Sequence, residues 1–152
     1  MNLTEKERTL LEDIKTNEQL CIDKYTKYSE QASKQQLKDI FDEIKQAEIS
    51  HLNTVTEILN GVDPNVGSGS NGFNACAVEK ESEYSEKDKE NDKYLCQDAL
   101  STEKYVSGAY DTSIFEFTQA PLRNVLNGIQ KAEQQHGEKI YNYMAANGMY
   151  QS

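Results

Sequence analysis

The sequence predicts an all-α protein: an antiparallel four-helix bundle made of two duplicated helical hairpins joined by a long crossover linker. Apolar residues recur at alternating steps of three and four in four segments, two of those segments repeat the other two without a gap, and no segment alternates as a strand does. We expect one domain over residues 1–152, with hairpin one at about 4–60, the linker at about 61–91 and hairpin two at about 92–148.

The first helix is predicted to begin after Thr4. Thr4 and Glu7 have the spacing of a capping box, in which each side chain hydrogen-bonds the backbone N–H of the other residue. The residues that follow place one stripe on a single helix face, as expected for a helix packed in a bundle. That stripe contains Leu11, Ile14, Glu18, Cys21, Tyr25 and Tyr28.

The second helix is predicted to begin at Ser33, which precedes Gln36 by three residues, and to end at Asn60-Gly61. The connection between the first two helices is therefore short, which predicts an antiparallel hairpin. The buried stripe of this helix contains Leu37, Ile40, Phe41, Ile44, Ala47, Glu48, His51, Val55 and Ile58.

The segment between the hairpins is predicted to be loop from residue 61 to about 75, where Gly, Ser, Asn and Pro are frequent. Residues 79–93 are dense in Glu, Lys, Asp and Ser, and they are either the solvated start of the third helix or further linker. A linker of this length is too long for a tight turn, but it can run the length of a bundle.

The third helix is predicted from about Asp92 to Phe117, with a stripe of Cys96, Ala99, Glu103, Val106 and Tyr110. Pro121 suits the first turn of a fourth helix, and Asn147-Gly148 is typical of its end. The fourth stripe contains Leu122, Val125, Leu126, Ile129, Ala132, Glu133, His136, Ile140 and Tyr143.

Composition and charge exclude several classes of partner. The net charge of −10 opposes binding to nucleic acid and to anionic membrane surfaces. No apolar run approaches the roughly 20 residues that span a bilayer, and residues 1–7 lack the features of a secretory signal, so we expect synthesis in the cytoplasm. Three cysteines without a Cys-x-x-Cys pair predict neither a disulfide framework nor a zinc site. Cys21 and Cys96 are interpreted as small apolar residues on helices, and Cys76 as the best candidate for a reactive or cross-linking thiol.

The two halves share one polar motif, Glu-x6-Tyr-x22-Glu-x2-His, at an offset of 85 residues. On a helix, Glu-x-x-His places both side chains on one face, one turn apart. The motif comprises Glu18, Tyr25, Glu48 and His51 in the first half and Glu103, Tyr110, Glu133 and His136 in the second. Two such motifs, with one further glutamate from each of two helices, form the ligand set of a ferritin-like carboxylate-bridged di-metal site.

The chemistry of these residues predicts a metal centre. Carboxylates on an apolar stripe are costly unless they are paired or bound to metal, and four that converge would raise one another's pKa values. Two divalent cations would balance their charge, and carboxylate with imidazole ligation suits iron or manganese. The predicted metal ligands are Glu18, Glu48, His51, Glu103, Glu133 and His136, with Glu48 and Glu133 bridging, Glu18 and Glu103 terminal and one histidine on each metal. The alternative is a structural core without metal.

Tyr25 and Tyr110 each lie seven residues after a predicted ligand glutamate, two turns along nearly the same helix face. One interpretation is that their hydroxyls hydrogen-bond and orient ligand carboxylates. The other is that they are aromatic core residues whose hydroxyls have partners of another kind. The two interpretations are compatible. No residue is assigned a catalytic role.

With these motifs in place, the sequence resembles the ferritin-like superfamily, which includes rubrerythrins and bacterioferritins, and more closely the spore coat protein F (Coat F domain) family. The resemblance covers both hairpins and is carried in hairpin two by the segments Leu100-Ser101-Thr102-Glu103-Lys104, Thr112-Ser113-Ile114-Phe115-Glu116-Phe117, Glu133-Gln134-Gln135-His136-Gly137 and Tyr141-Asn142-Tyr143-Met144. It implies a ferritin-like bundle, a location in the spore coat and other spore coat proteins as partners. It leaves a homodimer open.

The sequence lacks residues that are typical of rubrerythrins and of bacterioferritins. It has no Cys-x-x-Cys iron domain, and Val106 stands where rubrerythrins have an additional glutamate. Ile49 stands where bacterioferritins have a haem-binding methionine. We therefore hold three functional hypotheses: a coat-associated protein with a di-iron or di-manganese centre, a di-iron oxidoreductase that reduces oxygen or peroxide, and a purely structural coat component.

Overall fold

The computed structural model describes residues 2–64 and 73–150. These ranges contain four α-helices: α1 Glu5–Gln31, α2 Gln35–Leu59, α3 Glu86–Glu116 and α4 Ala120–Ala146. Helix α1 packs against α2 and α3, and α4 packs against α3 and α2, so each helix has two neighbours. The predicted four-helix bundle of two hairpins is confirmed.

Contacts at the helix ends define the direction of α1 relative to α3. Glu7, near the start of α1, accepts a hydrogen bond from the Thr118 backbone just after α3, whereas Asn91, near the start of α3, donates to the carbonyl of Gln31. These two helices are therefore antiparallel, as are the helices within each hairpin. Their opposed directions place the middle of every helix at the same level of the bundle.

Most of the predicted helix ends are confirmed. The Thr4 hydroxyl accepts a hydrogen bond from the Glu7 amide, and the Glu7 carboxylate accepts one from the Thr4 amide, so the capping box is present. Pro121 lies in the first turn of α4. Gly61 and Gly148 follow α2 and α4 with φ angles of 86° and 68°, in the left-handed region that glycine adopts without steric cost.

The predicted capping role of Ser33 is wrong. Helix α2 begins after Lys34, and no side chain caps it. Ser33 instead donates hydrogen bonds from its amide and its hydroxyl to the carboxylate of Asp92, a fully buried residue of α3. A tertiary contact with a charged acceptor has replaced the local cap.

Helix α3 begins six residues earlier than its predicted start at Asp92. The Ser85 hydroxyl accepts a hydrogen bond from the Asp88 amide, and Glu86 and Asp88 place negative charge in the first turn, where the helix dipole favours it. Of the two alternatives for residues 79–93, those from 86 onward are the solvated start of α3, and residues 79–85 are linker.

The two described parts of the linker join the helices at opposite ends of the bundle. The linker leaves α2 at Leu59, whose carbonyl accepts a hydrogen bond from Arg8 near the start of α1. It returns at the opposite end, where the Glu79 amide donates to Gln36 in the first turn of α2. The predicted crossover is therefore confirmed. Part of the loop predicted for 61–75, residues 65–72, lies outside the described residues.

The predicted stripes form the core, and the residues of the shared motif interrupt it at mid-height. Cys21 and Cys96 are buried among apolar side chains, as interpreted, whereas Cys76 is exposed. Glu18 and Glu48 are both 0% exposed, which is rare for carboxylates. Over residues 2–64 and 73–150, no helix is long and apolar enough to cross a membrane.

Candidate metal centre

The structure brings all six predicted ligand residues into one buried cluster. They fall into two groups, Glu18, Glu48, His51 and Glu133 in one and Glu48, Glu103, Glu133 and His136 in the other. In each group the ligand atoms lie within 4.8 Å of one another. Glu48 and Glu133 belong to both groups, as expected of residues that bridge two cations.

Both histidines direct Nδ1 toward the shared carboxylates. Nδ1 of His51 lies 3.5 Å from an oxygen of Glu48 and 3.5 Å from an oxygen of Glu133. Nδ1 of His136 lies 3.2 Å from Glu48 and 3.5 Å from Glu103. The two imidazole rings are stacked, with centroids 6.2 Å apart. The centre therefore has the approximate two-fold symmetry of the duplicated sequence.

Most of the carboxylate oxygens of this cluster, and Nδ1 of both histidines, have no hydrogen-bond partner. Among the described residues, eight buried side-chain oxygen and nitrogen atoms lack a partner, and all eight belong to the six predicted ligands. They include both carboxylate oxygens of Glu48 and of Glu133, and Nδ1 of each histidine. Buried polar atoms without partners cost free energy, and bound cations are the partners that this donor set fits.

The electrostatics of the cluster are those of crowded carboxylates. Burial and the neighbouring charge of Glu48 raise the pKa of Glu18 and of Glu133 well above the usual range. Burial acts in the same direction on Glu48, but its contacts with Glu18 and the two histidines hold the pKa of Glu48 well below that range. Burial would lower the pKa of His136, whereas the carboxylates of Glu103 and Glu48 raise it to about 9. Without cations, protons therefore compensate the charge.

The two predicted tyrosines join the hairpins through the centre. Tyr25 donates a 2.5 Å hydrogen bond to Glu103, and Tyr110 donates a 2.5 Å hydrogen bond to Glu18. Burial and the adjacent carboxylates raise the pKa of both phenols, so both remain protonated donors. Each hydroxyl meets the glutamate of the other hairpin rather than the one seven residues before it. The structure therefore provides the contact that the first interpretation of these residues requires.

The crossover linker contributes a residue that the sequence did not indicate. Phe73 packs edge-on against the His136 ring, with centroids 5.3 Å apart. Lys139, only 6% exposed, donates a 2.7 Å hydrogen bond to the carbonyl of Asn74 and lies over the Phe73 ring. His136 is consequently covered, whereas the His51 side chain remains 13% exposed. Helical periodicity could not reveal Phe73 because it lies in a loop.

The sequence comparisons relate the second hairpin to a known family. Residues 91–152 match the family model of the Coat F domain, in agreement with the resemblance of that part of the chain. The matched range contains Glu103, Tyr110, Glu133 and His136. No curated protein and no solved structure matches the chain. The resemblance of hairpin one and the ferritin-like assignment therefore remain predictions.

Proposed function

We propose that this chain, which carries a Coat F domain, is a spore coat-associated ferritin-like protein that holds two iron or manganese ions. The observation that carries the proposal is the pair of ligand groups sharing Glu48 and Glu133, whose four carboxylate oxygens have no hydrogen-bond partner. The Coat F domain over residues 91–152 supports the association with the spore coat.

Each part of the centre has a defined task in this proposal. Glu48 and Glu133, which belong to both ligand groups, would hold both cations, Glu18 and His51 would hold one of them, and Glu103 and His136 would hold the other. Tyr25 and Tyr110 orient the terminal glutamates, a role that usually strengthens metal binding. Bound cations would supply positive charge and, for iron or manganese, redox chemistry.

The donor set favours iron or manganese over metals that prefer sulfur. Both ligand groups consist of carboxylate oxygen and imidazole nitrogen, without a cysteine. Cys21 lies nearby on α1, but burial and the charges of Glu48 and Glu18 raise its thiol pKa, so it stays a neutral thiol. Zinc and copper sites rich in thiolate are therefore a poor match.

Metal analysis of the purified protein tests the proposal. Protein from cells grown with iron and manganese should contain about two of these ions per chain. Glu48→Ala should reduce the content to near zero, because Glu48 belongs to both ligand groups. Glu43→Ala removes an exposed glutamate from the same helix and is the matched control, with unchanged content. A content near zero in the unaltered chain, unaffected by Glu48→Ala, would refute the proposal.

A second candidate function is reduction of oxygen or peroxide at the centre. The partial exposure of His51 favours it, since this side chain, at 13% exposure, is the least buried of the six predicted ligands. Repeated turnover would require an external electron donor, because no other redox motif is present in the sequence. Mixing the ferrous protein with oxygen or peroxide should change its absorption spectrum, and an unchanged spectrum would exclude this candidate.

A structural role in the coat without metal is distinguished by a variant of the histidines. His51→Ala/His136→Ala removes one ligand from each group but leaves the surface of the bundle almost unchanged. If the variant enters the coat of spores in normal amount, coat assembly does not depend on the metal centre. If it is lost from the coat although it folds, the metal supports assembly.

A further inference from the structure

A cleft opens between α3 and α4 beside the candidate metal centre. Its volume is about 700 Å³, and Glu103 and Glu133 form part of its lining. Leu100, Tyr141 and Tyr150 contribute apolar and aromatic surface to its walls. Tyr141 and Tyr150 also contact each other edge-on, with ring centroids 4.7 Å apart. The cleft thus adjoins two predicted metal ligands that are themselves buried, Glu103 at 3% and Glu133 at 1% exposure.

The duplicated halves differ in the residues that line this cleft. At three corresponding positions, 85 residues apart, the first hairpin carries larger apolar residues: Ile22 for Ser107, Ile49 for Gln134 and Leu52 for Gly137. Ile22 is buried. The glutamates are buried in both hairpins, Glu18 and Glu48 at 0% exposure, Glu103 at 3% and Glu133 at 1%, so the halves differ in the residues around them. The cleft is therefore lined at these three positions by residues that are smaller or more polar than their counterparts in the first hairpin.

The charges of the lining restrict what can bind. Among the residues that the structure describes, Lys104 is the one cationic residue that lines the cleft, whereas Asp111 and Glu138 line it in addition to the two metal-centre glutamates. With two cations in the centre, Glu103 and Glu133 are compensated, but the remaining lining still has an excess of negative charge. An anionic ligand is therefore disfavoured, and an uncharged or cationic one is not.

We infer that this cleft is a binding site for an uncharged or cationic organic molecule with an apolar body, held beside the metal centre. Its volume lies within the roughly 300–1,000 Å³ of small-molecule sites and far exceeds the needs of oxygen or peroxide. The proximity to the metals rests on the proposed function, whereas the cleft itself does not. A protein partner is a poorer match, because the cleft extends inward to Glu103 and Glu133, which are buried within the bundle.

A matched pair of fluorescent probes tests the chemical class. N-phenyl-1-naphthylamine is uncharged and fluoresces in apolar surroundings, and 8-anilinonaphthalene-1-sulfonate has the same aromatic body with an added sulfonate. The full chain should bind the uncharged probe saturably, and the sulfonate probe at least tenfold more weakly. Absence of saturable binding of the uncharged probe, or tighter binding of the sulfonate, would overturn the inference.

Two variants that copy the first hairpin test the location. Gly137→Leu introduces the residue found at position 52, and a Cβ at Gly137 meets only Leu100 Cδ2 at 3.8 Å, an ordinary contact. Ser107→Ile copies position 22 and serves if Gly137→Leu does not fold. Gly128→Leu is the matched control, because Gly128 lies on α4 outside the cleft lining and its Cβ would meet nothing within 4 Å.

Filling the cleft should weaken the affinity for the uncharged probe at least tenfold, and Gly128→Leu should change it less than twofold. Equal affinities in the unaltered chain and all three variants would overturn the inference. Metal content is measured on the same samples. If the unaltered chain holds no metal but the variants still lose the probe, the proposed function fails and the cleft site stands. If the unaltered chain holds metal but the cleft variants bind the probe as tightly as it does, the proposed function stands and the cleft inference fails.

Discussion

The Tyr25 hydroxyl of the first hairpin donates a 2.5 Å hydrogen bond to Glu103 of the second. The reciprocal bond, from Tyr110 to Glu18, has the same length, so the hairpins exchange one donor each across the buried centre. Both phenols are almost completely inaccessible to water, and a carboxylate that lost such a donor would gain no solvent in its place. The pair therefore couples the packing of the two hairpins to the orientation of the proposed ligands.

Tyr25→Phe should weaken metal binding while preserving the ring that fills the core. Loss of a hydrogen bond to a metal ligand typically lowers metal affinity about 10–100-fold. The loss of a bond to a charged acceptor should also lower the free energy of unfolding by roughly 1.5–3 kcal/mol. Calorimetric titration with Mn²⁺ and urea denaturation measure the two effects.

Tyr105→Phe is the control for this change, since Tyr105 is 69% exposed and lies outside the centre. It should leave both the Mn²⁺ affinity and the urea midpoint unchanged. Equal affinities in the Tyr25 and Tyr105 variants would mean that the Tyr25 hydroxyl serves packing alone.

Each histidine belongs to only one ligand group. A variant that lacks one histidine should therefore bind fewer metal ions than the unaltered chain but more than Glu48→Ala. His51→Ala should hold about one ion per chain, since the group of Glu48, Glu103, Glu133 and His136 stays complete. His136→Ala should also hold about one, in the other group. Metal analysis after gel filtration gives the count. Two ions in both variants would show that neither histidine is needed to retain its cation.

The six residues of the centre could be predicted from the sequence because two constraints coincide in them. Helical periodicity places Glu18 and Glu103 on apolar stripes, and the duplication places Glu48 and Glu133 at matching heights. The four-helix bundle follows from the same periodicity, since each stripe needs a partner. Which hydroxyl meets which glutamate depends on packing across helices, and the spacing within a helix carries no information about it.

The residues that were predicted wrongly or missed are those that contact residues distant in the chain. Ser33 has the local features of a helix cap, but Asp92 lies 59 residues away and offers a charged acceptor. Phe73 belongs to a linker without periodicity, so its position over His136 could not be predicted. Small residues such as Gly137 line the cleft, and the helical periodicity of the sequence does not reveal that they do so.

The metal-free protein should lose stability as the pH rises from about 6.5 to about 9. The pKa of His136 is raised to about 9 in the folded chain, above its ordinary value of 6.5, so the folded state binds more protons over this interval. The stabilisation is fully present below pH 6.5 and is lost as the pH passes the folded value. At about 1.4 kcal/mol per pKa unit, the change is of the order of 3 kcal/mol.

Thermal unfolding at several pH values, with and without Mn²⁺, measures this effect. Metal binding requires a neutral imidazole, so His136 has already lost its proton in the loaded protein, and the decline should be much smaller there. The apparent affinity for Mn²⁺ should rise with pH over the same interval. A metal-free chain whose melting temperature is constant from pH 6.5 to 9 would contradict the prediction.

Asp92→Ala should be among the most destabilising single changes outside the centre. The Asp92 carboxylate is 0% exposed and accepts hydrogen bonds from the Ser33 amide and hydroxyl, from the Tyr84 hydroxyl and from the Asn91 side chain. Its removal leaves buried donors without an acceptor at the point where the α1–α2 turn, the linker and α3 meet. We expect a loss of about 3 kcal/mol, measured by urea denaturation.

Asp111→Ala, on the exposed face of the same helix, should change stability by less than about 0.5 kcal/mol. The metal content of Asp92→Ala shows whether the substitution disturbs only the surroundings of residue 92 or also the metal centre. Asp92 lies near the beginning of α3, about three turns from Glu103, so the folded Asp92→Ala protein should still hold two ions. A variant that folds with unaltered stability would show that the buried network around Asp92 does not anchor the crossover.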